Sequence, residues 1–200
     1  MTQTGTDSFK KEIILTGFGG QGIVLSGKVT AQAASLGDNK QSTLVQSYGP
    51  EARGGACSTS VVISDDPIHY PYVREPDILV CMSQSGFDKF FCQLKDDGIL
   101  LVDQDLVSFR DENLNMFAIP CTRMAEDLGR KMMANIIMVG FLSSVTGVIS
   151  ADAARKTVLA SVPKGTEGMN MKAFNKGYDY GLAILKARQK KAEGKAGTLK

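Results

Sequence analysis

The sequence predicts an α/β protein with a Rossmann-like, doubly wound, mostly parallel sheet and a helical C-terminal part. Three observations support this prediction. Short apolar runs alternate with helical patterns up to about residue 120, and several runs are continuously apolar, which is typical of strands covered on both faces. After residue 121 the pattern is purely helical. The later part of the chain is therefore expected to pack as helices against the sheet.

Six apolar runs are expected to form the strands of the sheet. They are EIILT (12–16), STLVQS (42–47), CSTSVVIS (57–64), DILVCM (77–82), GILLVD (98–103) and MFAIP (116–120). Helical stretches separate the first run from the second (22–36) and the fourth from the fifth (about 85–95). No helix separates the second run from the third, so the third is expected to be a non-crossover or mixed strand.

The helices of the C-terminal part have recognisable starts and stops. Thr122 is expected to cap the first of them, and Gly129 to end it. Ser150 is the expected cap of a later helix that Pro163 closes. A last helix is expected over 170–187, because its apolar residues recur at helical spacing.

One helical segment, residues 132–149, is apolar nearly all round. Its length approaches the roughly 20 residues that span a bilayer, but polar residues interrupt it, namely Asn135, Ser143, Ser144 and Thr146. It is therefore expected to be a buried helix. A single sheet face would leave part of it in water, so burial against a second protein is also a possible interpretation.

Composition and charge indicate one domain over residues 11–186, between a flexible N-terminus (1–10) and a basic flexible tail (187–200). The net charge of +2 gives no general attraction to nucleic acid or to a membrane. From residue 186 onward the chain carries six basic residues and one acid, but no aromatic residue that would stack on bases. The N-terminal segment lacks the apolar core of a signal peptide, so a cytoplasmic protein is expected.

The cysteines give no sign of a metal or cluster site. Cys57, Cys81, Cys92 and Cys121 contain no CxxC pair, and His69 is the only histidine. Buried, reduced thiols are expected. His69 is expected to lie in a loop, with a catalytic role as the less favoured interpretation.

The segment GFGGQG (17–22) is the first candidate binding element. It matches G-x-G-x-x-G between a predicted strand and a predicted helix, which is the context that a phosphate-binding turn requires. Gly17 is expected to permit the tight turn, Gly19 to let a ligand approach the backbone, and Gly22 to let the helix close on the strand. Free N–H groups at the helix start would then bind an anionic group. The alternative is that these glycines serve packing alone.

A nicotinamide cofactor makes a second demand that the sequence does not meet. An acidic residue should end the second strand and bind the ribose. That strand instead ends in Gln46, Ser47 and Tyr48, whereas Asp38 lies before the strand. A free-standing NAD(P)-binding oxidoreductase domain is therefore the weaker interpretation.

The segment SYGPEARGG (47–55) is the second candidate binding element. It follows a predicted strand, as GFGGQG does, so the two are expected to share one edge of the sheet with SQSG (83–86) nearby. Arg53 could bind a phosphate or carboxylate through its planar guanidinium group. It could equally pair with Glu51 or with a partner subunit.

These segments together resemble a known family. GFGGQG, SYGPEARGG, VVISDDPI (61–68), EPDILVCMSQ (75–84) and ANIIMVGFLSSVTGVIS (134–150) are similar, in order and spacing, to the gamma subunit of the 2-oxoacid:ferredoxin oxidoreductases, and most of all to the 2-oxoglutarate branch. The resemblance covers about residues 11–186, and YGPEARGG is its most specific element. It identifies that stretch as a pyruvate/ketoisovalerate oxidoreductase gamma-type catalytic domain.

The resemblance implies a cytoplasmic hetero-oligomer with alpha and beta, or also delta, chains. In that family a 2-oxoacid is oxidatively decarboxylated on thiamine diphosphate, ferredoxin accepts the electrons, and coenzyme A accepts the acyl group, giving succinyl-CoA from 2-oxoglutarate. Thiamine diphosphate, Mg and the iron–sulfur clusters belong to the partner subunits. DDG (96–98) is expected to be a turn before a strand and not part of a thiamine diphosphate motif. Pyruvate, a branched-chain oxoacid or indolepyruvate remain alternative substrates.

Ten residues are the resulting candidates for binding coenzyme A or closing the site; the sequence does not identify a catalytic residue, and no metal ligand is expected. They are Gly17, Gly19, Gly20, Gln21 and Gly22 in the turn, and Tyr48, Glu51, Arg53, Gly54 and Gly55 in the facing loop. A role as subunit contacts alone is the other interpretation of both loops.

Overall fold

The computed structural model describes residues 8–48, 56–108 and 114–197. Each of the six predicted runs coincides with a strand. The strands are β1 (Lys10–Phe18), β2 (Gln41–Tyr48), β3 (Ala56–Ser64), β4 (Ile78–Cys81), β5 (Ile99–Asp103) and β6 (Met116–Ile119). They form one sheet in the order β2-β3-β1-β4-β5-β6.

The sheet is mixed, so the prediction of a mostly parallel sheet is only partly correct. The pairs β1–β4, β4–β5 and β5–β6 are parallel. Strand β3 is antiparallel to both of its neighbours, β1 and β2, because no helix carries the chain back after β2. The other five strands therefore point in one direction, and their carboxyl ends lie at one edge of the sheet.

In the part of the chain that the structure describes, six helices and three short helical turns surround the sheet. The helices are α1 (Ile23–Gln32), α2 (Gln84–Phe90), α3 (Cys121–Asp127), α4 (Ala134–Thr146), α5 (Ala151–Ser161) and α6 (Glu167–Gly197), and the turns are a π turn at Ala33–Gly37 and 3₁₀ turns at Phe91–Gln93 and Lys131–Met133. Helix α2 covers one face of the sheet through Phe87, which packs with Ile14 and Leu79. The other face carries α1 and the C-terminal helices, so the sheet is covered on both faces as predicted.

Helix α4 is buried inside this chain, so a second protein is not needed to cover it. Every residue from Ala134 to Ser143 is buried. Helix α6 supplies the cover, and glycines bring the two backbones together: a Cβ atom at Gly177 would lie 2.7 Å from the carbonyl carbon of Ile137. Within the described ranges, no helix is both long and apolar enough to cross a membrane.

The predicted caps are correct at Ser150 and wrong at Thr122. The Ser150 hydroxyl accepts a hydrogen bond from the Ala153 N–H at 3.2 Å and caps α5. Helix α3 starts two residues earlier than expected, after Pro120. The Thr122 hydroxyl donates instead to the buried carboxylate of Asp103. Helix α6 runs ten residues beyond the predicted end at 187, into the segment expected to be a tail.

Three of the four cysteines are buried as expected, and one is not. Cys57, Cys81 and Cys121 lie in the core as free thiols. Burial raises the pKa of Cys81 and of Cys121, and the neighbouring Asp103 carboxylate raises that of Cys121 further. Cys92 is exposed because it lies in the 3₁₀ turn that follows α2.

Candidate functional site

The glycine-rich segment forms a tight turn between β1 and α1. The Gln21 N–H donates to the Phe18 carbonyl oxygen at 3.1 Å and closes the turn. Gly20 and Gly22 have φ angles of +95° and +75°, which side chains larger than hydrogen rarely allow. Gly19 and Gly20 are exposed to solvent. The sequence therefore places glycine where the backbone requires it.

Gln21 braces this turn. Its Oε1 accepts a hydrogen bond from the Phe18 N–H at 2.6 Å, and its Nε2 donates to the Met82 carbonyl oxygen at 2.9 Å. Met82 directly follows β4, so the side chain ties the turn to the neighbouring strand. Gly17 leaves the space for this arrangement, because a Cβ atom there would lie 2.7 Å from Cδ1 of Ile23.

The last glycine of the motif has a different neighbour from the one expected. Gly22 contacts Asn135 in the first turn of α4, and a Cβ atom on Gly22 would lie 2.9 Å from Cγ of Asn135. The close approach of α1 to the sheet occurs instead at Gly27, where a Cβ atom would lie 2.9 Å from Cβ of Thr59 in β3. Gly22 thus joins two helices, and Gly27 has the packing role predicted for Gly22.

The start of α1 has the properties of an anion-binding site. The first N–H groups of a helix have no acceptor within the helix, and the helix dipole adds partial positive charge there. Gly22 occupies the N-cap position and has no side chain to bond these groups. The first turn also contains no acidic residue. An anion placed at this end would meet hydrogen-bond donors and no opposing charge.

A cavity of about 370 Å³ opens beside this helix end. Gly20, Gly22 and Leu25 form one wall, and the entry to α4 forms another. The remaining wall comes from the connection between α5 and α6, including Thr166, and from Asn170 in the first turn of α6. The lining is mainly apolar with a few polar groups, as in most small-molecule sites.

Two cationic residues, Arg130 and Lys131, stand at the rim of this cavity. They follow Gly129, whose φ of +83° ends α3, and the Arg130 N–H donates to the Ala125 carbonyl oxygen at 3.1 Å. The Lys131 ammonium lies 2.9 Å from a carboxylate oxygen of Glu126. Arg130 therefore adds positive charge near the anion-binding end of α1, whereas Glu126 offsets the charge of Lys131.

Sequence reasoning missed most of the cavity. The lining residues that it did not single out as site candidates include Arg130, Lys131, Met132, Asn135, Thr166 and Asn170. One local signal was available: the segment GRK (129–131) places two cations directly after a helix-ending glycine. The contribution of the α5–α6 connection had no such signal, because it depends on tertiary packing alone.

The structure confirms that the strands preceding the two candidate segments, β1 and β2, end at one edge of the sheet. Tyr48, the last residue of β2, pairs with Cys57, which pairs in turn with Gly17 at the end of β1. The two strand ends are thus two strand spacings apart, about 10 Å. Glu51, Arg53, Gly54 and Gly55 lie outside the described residues. Burial raises the pKa of the Cys57 thiol at this edge, which favours its neutral form.

Two further sequence expectations concern residues away from this edge. His69 lies exposed in the loop that follows β3. Asp96 and Asp97 form the expected turn before β5.

Comparison with known proteins identifies the family. The family model described as pyruvate ferredoxin/flavodoxin oxidoreductase matches residues 12–180. The chain belongs to this family. It is 51% identical over 174 residues to the 2-oxoglutarate synthase subunit KorC of Methanocaldococcus jannaschii, covering 85% of this chain and 93% of that subunit. It is 33% identical over 172 residues to the pyruvate synthase subunit PorC of Methanothermobacter marburgensis, covering 84% and 96%.

A solved structure agrees with this assignment. The gamma subunit of a keto/oxoacid ferredoxin oxidoreductase from Geobacter sulfurreducens PCA is 41% identical to the chain, with a TM-score of 0.80. The match covers 88% of this chain and 98% of that subunit. The resemblance to gamma subunits inferred from the sequence motifs is therefore confirmed.

Proposed function

We propose that this chain is the gamma subunit of a 2-oxoglutarate:ferredoxin oxidoreductase and that it holds a phosphate of coenzyme A. The observation that carries the second part is the acid-free start of α1, which opens beside a cavity with Arg130 and Lys131 at its rim. The first part rests on the 51% identity to a 2-oxoglutarate synthase subunit over nearly the whole of both chains.

The identities favour 2-oxoglutarate over pyruvate as the substrate of the assembled enzyme. The chain is 51% identical to the 2-oxoglutarate synthase subunit and 33% identical to the pyruvate synthase subunit, at similar coverage. The companion chains would hold the 2-oxoacid. Comparing oxoacids in the assembled enzyme therefore tests this point directly.

Coenzyme A suits the glycine turn for a chemical reason. Its phosphates are anions that the N–H groups at the start of α1 can bind, and its long body can reach from this edge to a neighbouring chain. The turn needs no ribose-binding acid for this task, which fits the ending of β2 in Gln46, Ser47 and Tyr48. Arg53 in the facing loop would bind a second anionic group or close over the ligand.

The companion alpha and beta chains, with or without a delta chain, would supply thiamine diphosphate, Mg and the iron–sulfur clusters, and ferredoxin would accept the electrons. Thiamine diphosphate, when bound there, supplies the carbanion chemistry of decarboxylation. This chain's own part is limited to binding and orienting coenzyme A and to excluding water when the site closes.

Purification of the native complex tests the subunit assignment. The tagged chain is isolated from its own cells under gentle conditions, and the eluate is analysed by mass spectrometry, visible absorbance and a thiamine assay. Companion chains, cluster absorbance and coenzyme A-dependent reduction of a dye by 2-oxoglutarate are expected. A solitary, colourless chain that binds NADH saturably would overturn the proposal in favour of a free-standing nucleotide-binding domain.

The variant Arg53→Ala tests the role of the facing loop in the same complex. An increased KM for coenzyme A is expected, with the KM for 2-oxoglutarate unchanged. Unchanged kinetics for both substrates would remove Arg53 from the binding site. The exposed Arg74, in the loop before β4, gives a matched control as Arg74→Ala.

A further inference from the structure

Asn135 is a buried polar residue at the start of an otherwise apolar helix. Its side chain is part of the cavity wall, yet the residue is only 3% exposed. The Oδ1 atom accepts a hydrogen bond from the Ile136 N–H at 2.8 Å. The Nδ2 atom donates to the Gly22 carbonyl oxygen at 3.2 Å. The amide therefore links the first turn of α4 to the glycine turn.

The carbonyl group that Asn135 holds belongs to the peptide unit at which α1 begins. The Gly22 carbonyl oxygen also accepts the first helical hydrogen bond, from the Ser26 N–H at 3.0 Å. A peptide unit is planar and trans, so its carbonyl and its N–H point in opposite directions. Fixing the Gly22 carbonyl thus fixes the direction of the Ile23 N–H, which is one of the free donors at this helix end.

We propose that Asn135 is a positioning residue for the coenzyme A site: by holding the Gly22 carbonyl it orients the anion-binding N–H groups at the start of α1. This inference rests on the proposed function of the glycine turn. Gly22 is part of the same arrangement. Its positive φ turns the peptide towards α4, and its missing side chain leaves room for the Asn135 amide.

Ser143 provides a control on the same helix. It is also 3% exposed, and its hydroxyl donates to the Ile149 carbonyl oxygen at 3.0 Å, near the other end of α4. Loss of either side-chain donor leaves one carbonyl oxygen without that bond. Only Asn135 touches the glycine turn. The two residues therefore separate an effect on ligand binding from an effect on stability.

The experiment compares Asn135→Asp, Asn135→Leu and Ser143→Ala in the complex purified through the tagged chain. Asn135→Asp keeps the acceptor for Ile136 but sets a carboxylate oxygen against the Gly22 carbonyl. Asn135→Leu keeps the approximate volume without a donor. The KM for coenzyme A is expected to rise roughly tenfold in both, the equivalent of one hydrogen bond, and more in the Asp variant. The kcat and the KM for 2-oxoglutarate are expected to stay unchanged.

The outcomes distinguish a failure of the Asn135 inference from a failure of the proposed coenzyme A site. Unchanged KM values for coenzyme A in both Asn135 variants, with a fall in Tm similar to that of Ser143→Ala, would reduce Asn135 to a structural residue. Gly20→Ala tests the turn itself, since its φ is +95° and no atom lies within 4 Å of the added Cβ position. If Gly20→Ala raises the KM for coenzyme A and the Asn135 variants do not, only the Asn135 inference fails. If Gly20→Ala has no effect, the proposed binding function fails and the inference fails with it.

Discussion

The two edges of the sheet differ in how far their charged and polar groups are paired within the chain. At the edge where β4 and β5 begin, the Asp77 carboxylate accepts hydrogen bonds from the Glu12 N–H at 2.7 Å and from the Lys95 ammonium at 2.9 Å. At the edge where β1 ends, Gly22 leaves the N–H groups of α1 uncapped, and the first turn of that helix contains no acidic residue. Arg130 stands nearby, whereas the charge of Lys131 is paired with Glu126.

This difference indicates which edge is built for a ligand. Charges that neutralise each other within one chain stabilise the fold and have little left to offer a ligand. Donors without an acceptor cost free energy unless water or a ligand bonds them. Substitutions at the first edge should therefore change stability alone, and substitutions at the second should change binding.

The largest effect is expected from Gly22→Ala. The added Cβ would require a positive φ in alanine and would overlap the Asn135 side chain. We expect the free energy of unfolding to fall by about 3 kcal/mol, from overpacking together with backbone strain. Binding of coenzyme A should be lost in the folded protein. Chemical denaturation and calorimetric titration of the full chain measure the two effects.

Gly129→Ala is the matched control for this substitution. Gly129 also has a positive φ, +83°, but nothing lies within 4 Å of its Cβ position. In the Gly129→Ala variant the free energy of unfolding should fall only by the cost of backbone strain, about 1 kcal/mol. This variant should still bind coenzyme A. Equal binding losses in the two variants would mean that the glycine turn has no special role, and the contrast between the edges would disappear.

The strands could be predicted because each depends on the apolar pattern of a few consecutive residues. All six apolar runs became strands, and the missing helix between β2 and β3 correctly marked the irregular strand, although not its antiparallel direction against β1. The order of the strands in the sheet was not accessible, because it depends on pairings between distant segments.

The turn could be predicted from its sequence, but the wall opposite it could not. Gly20 and Gly22 have the positive φ that a glycine motif suggests. Asn135 looked like a polar interruption of an apolar helix, and only the packing of α4 against α1 brings it to Gly22, 113 positions away. Gln21, a candidate ligand-binding residue, also braces the turn, because β4 ends beside it.

The second-largest effect is expected from Asp77→Ala at the opposite edge. The substitution removes the acceptor of a strand N–H and the partner of Lys95, whose ammonium would keep its charge without that hydrogen bond. The free energy of unfolding should fall by about 2 kcal/mol. The KM for coenzyme A in the assembled complex should not change. An increase in that KM would show that the two edges are coupled.

Asp65→Ala controls for the loss of an acidic side chain. Asp65 pairs with Lys40 at 2.6 Å, but its side chain is 52% exposed, against 17% for Asp77. Exposed pairs contribute at most about 1 kcal/mol, so the control should lose less stability than Asp77→Ala. Equal losses would mean that the Glu12 N–H gains nothing from its acceptor.

The smallest effect is expected from the ionisation of Lys95. The hydrogen bond to Asp77 raises the pKa of the Lys95 ammonium above its ordinary value of 10.5. The folded protein thus holds this proton more tightly than the unfolded chain does. The stabilisation is complete at pH values below the unfolded pKa and is lost as the pH rises through the folded one. Because the lysine is partly exposed, the whole effect should stay below about 1 kcal/mol.

Lys95→Met and Lys176→Met, compared with the wild type by urea denaturation between pH 7 and pH 11, test this expectation. Lys176 is an exposed residue of α6 and controls for the loss of a positive charge. The stability difference between Lys95→Met and the wild type should be constant near neutral pH and shrink above about pH 10.5. A difference at pH 11 as large as that at pH 7 would assign the role of Lys95 to packing of its aliphatic stem, and the opposite edge would then depend on Asp77 and the Glu12 N–H alone.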